Sequence, residues 1–143
     1  MRSTVPIMAA LMALAACGNP APSPTATVRL AAVPGRPAAG YLTLPVESDR
    51  GALLSVSSPQ AGRIEMHETM THGNMSSMRP LARIAVRDGE TLSFTPGGRH
   101  LMIFDLDRRI PAGGTVTLVF HFERGGEQSL SARVVPTGGD VGP

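Results

Sequence analysis

The chain has little of what many metal sites and binding surfaces are built from. One of its 143 residues is cysteine, Cys17, and none is tryptophan or lysine. A single thiol excludes an intramolecular disulfide. Cys17 also lies ahead of the folded part, which excludes a blue-copper site of the His/His/Cys type and a cysteine nucleophile there. Aromatic residues make up 3% of the chain, and its cations are scattered arginines such as Arg29, Arg50, Arg63, Arg83, Arg99 and Arg133. No basic stripe interleaves with aromatics, so nucleic-acid binding has no support. No nucleophile–base pair or poised carboxylate pair is evident either, and the chain is read as a binding protein and not an enzyme. No apolar run reaches the length of a membrane span. The longest, Val5 to Ala16, carries no charge and follows Arg2. It has the length of a signal-peptide core.

That run ends in Leu14-Ala15-Ala16-Cys17. The four residues resemble the lipobox of bacterial lipoproteins, in which the cysteine becomes the lipidated first residue of the mature chain. The expected organisation is a lipoprotein signal peptide over 1–16, then a lipidated Cys17 and a tether rich in proline over 17–27. A domain over 28–135 and a loose tail over 136–143 follow. A lipid chain would hold such a protein to a membrane without a spanning helix, which places it outside the cytoplasm, in the periplasm.

Within the domain, short apolar alternations are separated by turn residues. Leu42-Thr43-Leu44, Leu54 to Ser57, Arg63 to Met66, Arg83 to Val86, Thr91 to Phe94 and Ser129 to Val135 each read as strands. Thr115 to Phe122 puts Val116, Leu118, Phe120 and Phe122 on one face. Period two with turns every eight to twelve residues predicts an all-β sandwich or barrel. Pro34, Gly35 and Pro37 oppose a helix in the alanine-rich stretch before Gly40.

What is present in unusual amount is methionine close to histidine. Five methionines follow the leader, four of them fall between residues 66 and 78, and Met70, Met75 and Met78 lie in a polar segment. Packing explains a methionine in a core but not on a polar segment. Four residues form a candidate ligand set: His67, Met78, His100 and Met102. Ten residues separate the first pair, twenty-one the second and one the third. On a strand, His100 and Met102 point to one face while Leu101 and Ile103 point to the other. Met66 is placed on the face opposite His67, in the core. Met70, His72 and Met75 are read as auxiliary contacts, an access route or plain exposed loop residues. His121 is read as solvent-facing, and Glu68, Asp105 and Asp107 are given no role. Thioether sulfur is soft, neutral and needs no deprotonation. Two thioethers with two imidazoles suit Cu(I), and outside the cytosol they avoid the oxidation that a thiolate would suffer.

Met66-His67-Glu68-Thr69, Met78-Arg79-Pro80 and Pro96-Gly97-Gly98-Arg99-His100-Leu101-Met102 resemble the signature of the periplasmic copper chaperones called PCuAC. The resemblance extends through Ala38 to Leu44 and Ser57 to Gly62. It implies a cupredoxin-like Greek-key β-sandwich that binds Cu(I) at His67, Met78, His100 and Met102. It also implies copper delivery to the CuA centre of cytochrome c oxidase, alongside Sco-type proteins. The chain departs from the family in three ways: residues 136–143 hold no His or Met, the stretch from Arg29 to Pro34 holds no Trp, and a lipid anchor replaces free diffusion. The expectation is a monomeric carrier. A buffering or resistance lipoprotein with the same site and no dedicated acceptor remains the alternative. Further rivals are a scaffold sandwich with an incidental methionine cluster and, less well matched by the ligands, a redox protein.

Overall fold

The computed structural model describes residues 22–142, so the leader and Cys17 lie outside the described residues. Nine strands account for the regular structure: β1 Thr25–Arg29, β2 Ala38–Pro45, β3 Leu53–Ser57, β4 Arg63–His72, β5 Met75–Pro80, β6 Thr91–Phe94, β7 Arg99–Phe104, β8 Thr115–Phe122 and β9 Glu127–Val135. The fold is all-β. Among the described residues no helix is long and apolar enough to cross a membrane.

The strands run in the order β3-β8-β9-β1-β2-β7-β4-β5, with β6 also paired to β2. β1 is parallel to β9, and the other pairs are antiparallel. The sheet turns over on itself. Leu53 of β3 exchanges two backbone hydrogen bonds with Ile84, of 2.8 and 2.9 Å, which joins one end of the strand order to the segment that follows β5. The core lies between the layers. Val28, Leu53, Leu101, Ile103, Val116, Leu118, Phe120 and Val134 are fully buried there. Each such side chain contributes about 1.5–3 kcal/mol relative to exposure. The alternating face expected for β8 is the buried one, and Met66 is buried as well.

Three local expectations give way. The segment Glu68 to Ser77 is the tip of a β4–β5 hairpin, not a loop, and both its faces are too polar to show an alternation. Arg83 to Val86 makes a single bridge at Ile84 and not a strand. β1 begins at Thr25, inside the stretch read as tether, because its register is set by β2 and β9, which are remote in sequence.

β7 sits between β4 and β2. Gly40 of β2 pairs with Leu101, and a Cβ at Gly40 would stand 3.0 Å from the Leu101 Cβ. The glycine lets β2 and Leu101 of β7 approach closely and so holds the strand that carries His100 and Met102.

Candidate metal centre

Residues directly opposite on antiparallel strands point to the same side of the sheet. His67 of β4 is opposite His100 of β7, Glu65 is opposite Met102, and Thr69 is opposite Met78 of β5. His67, Thr69 and Glu65 alternate along one face of β4. The register therefore puts His67, Met78, His100 and Met102 on one face of three neighbouring strands. The two imidazole rings are 6.0 Å apart between centroids. A cavity of about 280 Å³ opens beside them, lined by Met78, His100, Met102, Thr69, Tyr41 and Arg29 among others. Arg29 donates to the Tyr41 hydroxyl at 2.8 Å and lies over its ring.

Burial is graded across the four. His100 is 6% exposed, Met102 is half-buried and Met78 is 61% exposed. Only 13% of the His67 side chain is exposed.

The hydrogen bonds set which ring nitrogen of each histidine keeps a lone pair. A carbonyl only accepts, so His100 Nδ1–H donates to Gly98 O at 3.2 Å and its lone pair lies on Nε2. His67 Nε2–H donates to the Glu65 carboxylate at 2.9 Å, which leaves the lone pair of the neutral ring on Nδ1. Among the described residues, His67 Nδ1 is the one buried side-chain polar atom without a hydrogen-bond partner. Such an orphan costs about 1–3 kcal/mol. Coordination of a cation would satisfy it.

Glu65 is the residue that the sequence reading missed. Its signal was its position two residues before His67, on the same face of an alternating strand. The hydrogen bond from His67, then that from Arg63 at 2.7 Å, holds its carboxyl below the ordinary value. Arg63 is in turn seated 4.0 Å over the Phe104 ring. A carboxylate that orients an imidazole in this way fixes the tautomer and raises ligand basicity.

The remaining oxygen donors are engaged elsewhere. Glu68 accepts from Arg79 at 2.8 Å and lies 3.9 Å from Arg99. Asp107 is hydrogen-bonded and ion-paired to Arg109, which holds its carboxyl at about 2. Asp105 and Asp107 line a separate cavity with Arg36 and Arg108. No three His, Cys, Asp or Glu side chains converge among the described residues. Beside the two imidazoles, the further soft donors on this face are the thioethers of Met78 and Met102.

Other candidates fall outside the group. Met70, His72 and Met75 alternate onto the opposite face of the hairpin from His67 and Met78. His121 is half-buried rather than simply solvent-facing. Its Nε2 is 2.7 Å from Ser57 Oγ and its Nδ1 is 3.0 Å from Glu127. Sequence reading did not find this hydrogen-bonded line, because its three residues are on three strands. Ser57 and Glu127 are exposed.

A family model named LpqE-like matches residues 24–134. Of two curated relatives, "Putative lipoprotein Lxx21020" of Leifsonia xyli subsp. xyli is 25% identical over 88 residues, 61% of this chain and 53% of its own length. RP573 of Rickettsia prowazekii is 26% identical over 83 residues, 57% of this chain and 46% of its own. The chain thus spans about half the length of these curated relatives. Among solved structures, the Cu(I) form of DR1885 from Deinococcus radiodurans is 29% identical with a TM-score of 0.60, covering 84% of this chain and 81% of that one. The copper-bound PCuAC domain of PmoF2 is 20% identical with a TM-score of 0.61, covering 79% and 91%, and supports the fold alone. The fold is the cupredoxin-like β-sandwich of these domains. With its family model spanning most of the described residues, the chain belongs to the LpqE-like family and is of the PCuAC type.

Proposed function

We propose that the domain is a Cu(I) carrier of the bacterial cell envelope, with His67, Met78, His100 and Met102 as the ligands. One observation carries the reading. Two imidazoles whose hydrogen bonds leave a lone pair on Nδ1 of His67 and on Nε2 of His100 share a strand face with two thioethers, while the neighbouring carboxylates are tied to arginines or to His67. Soft neutral donors in that arrangement favour Cu(I) over hard cations. The Cu(I) form of the similar DR1885 supports copper as the cation.

Copper is cargo here, and the grading of burial suggests how it leaves. Met78 is the most exposed ligand, so a partner's donor approaches from that side and replaces the Met78 thioether first. His100, buried and held through Gly98, releases last. Ligand exchange of this kind moves Cu(I) without oxidation or proton uptake by the thioethers.

Cys17, outside the described residues, is the lipid attachment point in this reading. In the same reading the domain is a monomer, tethered to a membrane in the periplasm. Its acceptor is the CuA-containing subunit of cytochrome c oxidase, with a Sco-type protein as co-worker. It has no catalytic role.

Anaerobic Cu(I) titration of the protein against a competing chelator tests the site, with one tight equivalent expected. Uptake that survives loss of both thioethers would overturn the ligand set. Deletion in the parent organism tests the destination. Loss of CuA oxidase activity supports delivery, whereas copper sensitivity with normal oxidase would replace delivery by buffering.

A further inference from the structure

The β4–β5 hairpin carries a second group of soft donors that the four-residue site does not use. His72 and Met75 are directly opposite each other across the hairpin turn. Met70 lies two residues before His72 and so on the same face. That face is the reverse of the one holding His67, Thr69 and Met78. The turn is a two-residue connection, Gly73-Asn74, and Gly73 has a φ of 59°, which glycine adopts without a Cβ penalty. The turn thereby fixes His72 against Met75.

Packing does not account for these side chains. Pairing of β4 with β7 stops at Glu68 opposite Arg99, and the last backbone bond along that edge is Thr69 N–H to Gly98 O. Beyond it the tip extends with neither strand covered by β7. Met75 is 78% exposed, the most exposed large apolar side chain among the described residues, and His72 is exposed too, while Met70 is half-buried yet outside the core cluster. A thioether outside the core returns little burial energy, so two methionines and a histidine on one short face call for another explanation.

The spacing suits one. Opposed residues on paired strands have Cβ atoms about 4.5–5.5 Å apart. Residues two apart on a strand are separated by about 6.6 Å. Methionine has three rotatable bonds, and its sulfur can cross such gaps to meet an imidazole nitrogen on a common cation. Glu68, next along the same face, is committed to Arg79 and Arg99. The donors left are two neutral sulfurs and one imidazole, which select a soft monovalent cation.

We propose that Met70, His72 and Met75 form a second, solvent-facing site for a soft monovalent cation at the hairpin tip. It binds more weakly than the four-residue site, because it has three donors and the exposed side chains must be ordered on binding. The second equivalent is expected to bind at least about tenfold more weakly. The proposal rests on donor chemistry at the tip and not on delivery to any acceptor.

Ag(I), which carries the same charge and softness without redox chemistry, is the probe. The whole protein, labelled with carbon-13 at the methionine methyls, is titrated and its methyl and histidine-ring NMR signals are followed. The first equivalent is expected to shift Met78 and Met102, and the second to shift Met70, Met75 and His72. His72→Ala combined with Met75→Leu should remove the second response and leave the first. The methyl signal of buried Met66 reports that the fold is unchanged. The proposal is overturned if the second equivalent leaves Met70 and Met75 unmoved. It is equally overturned if the double variant takes up the second equivalent as the wild type does. A missing response at Met78 and Met102 would instead count against the four-residue site, so the two failures are separable.

Discussion

Leu101 and Ile103 leave one face of β7 for the core and are fully buried, whereas His100 and Met102 leave the other, on the same side of the sheet as His67 and Met78. The four residues are consecutive, and the strand gives alternate members unlike surroundings. Inward, a side chain is constrained by shape alone. Outward, it is constrained by chemistry: His100 by its bond to Gly98, and Met102 by its place opposite Glu65. A one-residue slip of β7 would exchange the two sets. Close approach of Gly40 to Leu101 opposes such a slip. In the proposed reading, stability and cation binding are therefore separable on one strand, and substitutions on either face should reveal it.

The largest effect is expected on the inward face. Leu101→Ala should lower the unfolding free energy by about 2–5 kcal/mol, because it opens a cavity among fully buried neighbours. Chemical denaturation of the apo-protein measures this, and a loss below 1 kcal/mol on that scale would mean the inward face is not as tightly packed as its burial indicates.

Next comes the positioning residue. Glu65→Ala should weaken Cu(I) binding by about 10–100-fold, the usual consequence of removing a carboxylate that orients a ligating histidine. The His67 ring should show it directly. Its nitrogen-15 signals should report a mixture of tautomers in place of a proton held on Nε2. Glu65→Gln, which keeps an acceptor oxygen, should restore most of the affinity. Weakened binding with the tautomer unchanged would assign Glu65 a role other than holding His67.

These two variants also mark what could be read from the sequence. The inward face of β7 and that of β8 follow from apolar alternation, and so does the pairing of His100 with Met102 on one face. The spacing that singled out His67 and Met78 was legible as well, and the register brings those residues beside the other two. The hairpin was not legible. Its tip is exposed on both faces, so ETMTHGNMSSM shows no hydrophobic period, and its residues looked like a loop. With the hairpin hidden, the division of its methionines between two faces was hidden too. β1 was set too late because its partners are β2 and β9. Glu65 was missed because hydrogen-bond partners two residues apart matter only once the segment is known to be a strand.

The smallest effect is expected at Met66, which is 4% exposed and adjacent to His67 but faces the core. Met66→Leu conserves volume and should cost less than about 1.5 kcal/mol of stability. Its Cu(I) affinity should equal that of the wild type. An affinity loss here comparable to that of a proposed ligand would show that strand direction does not separate the two functions.

Met102→Leu is the most direct test of the central claim, that the outward face of β7 binds the cation while contributing little to stability. The variant keeps apolar volume and removes one sulfur. Cu(I) affinity by anaerobic chelator competition and the melting temperature of the apo-protein are measured on the same preparation. Affinity is expected to fall more than about tenfold, equivalent to 1.4 kcal/mol, while stability changes by less than about 1.5 kcal/mol. Unchanged Cu(I) affinity in a correctly folded Met102→Leu protein would contradict the account.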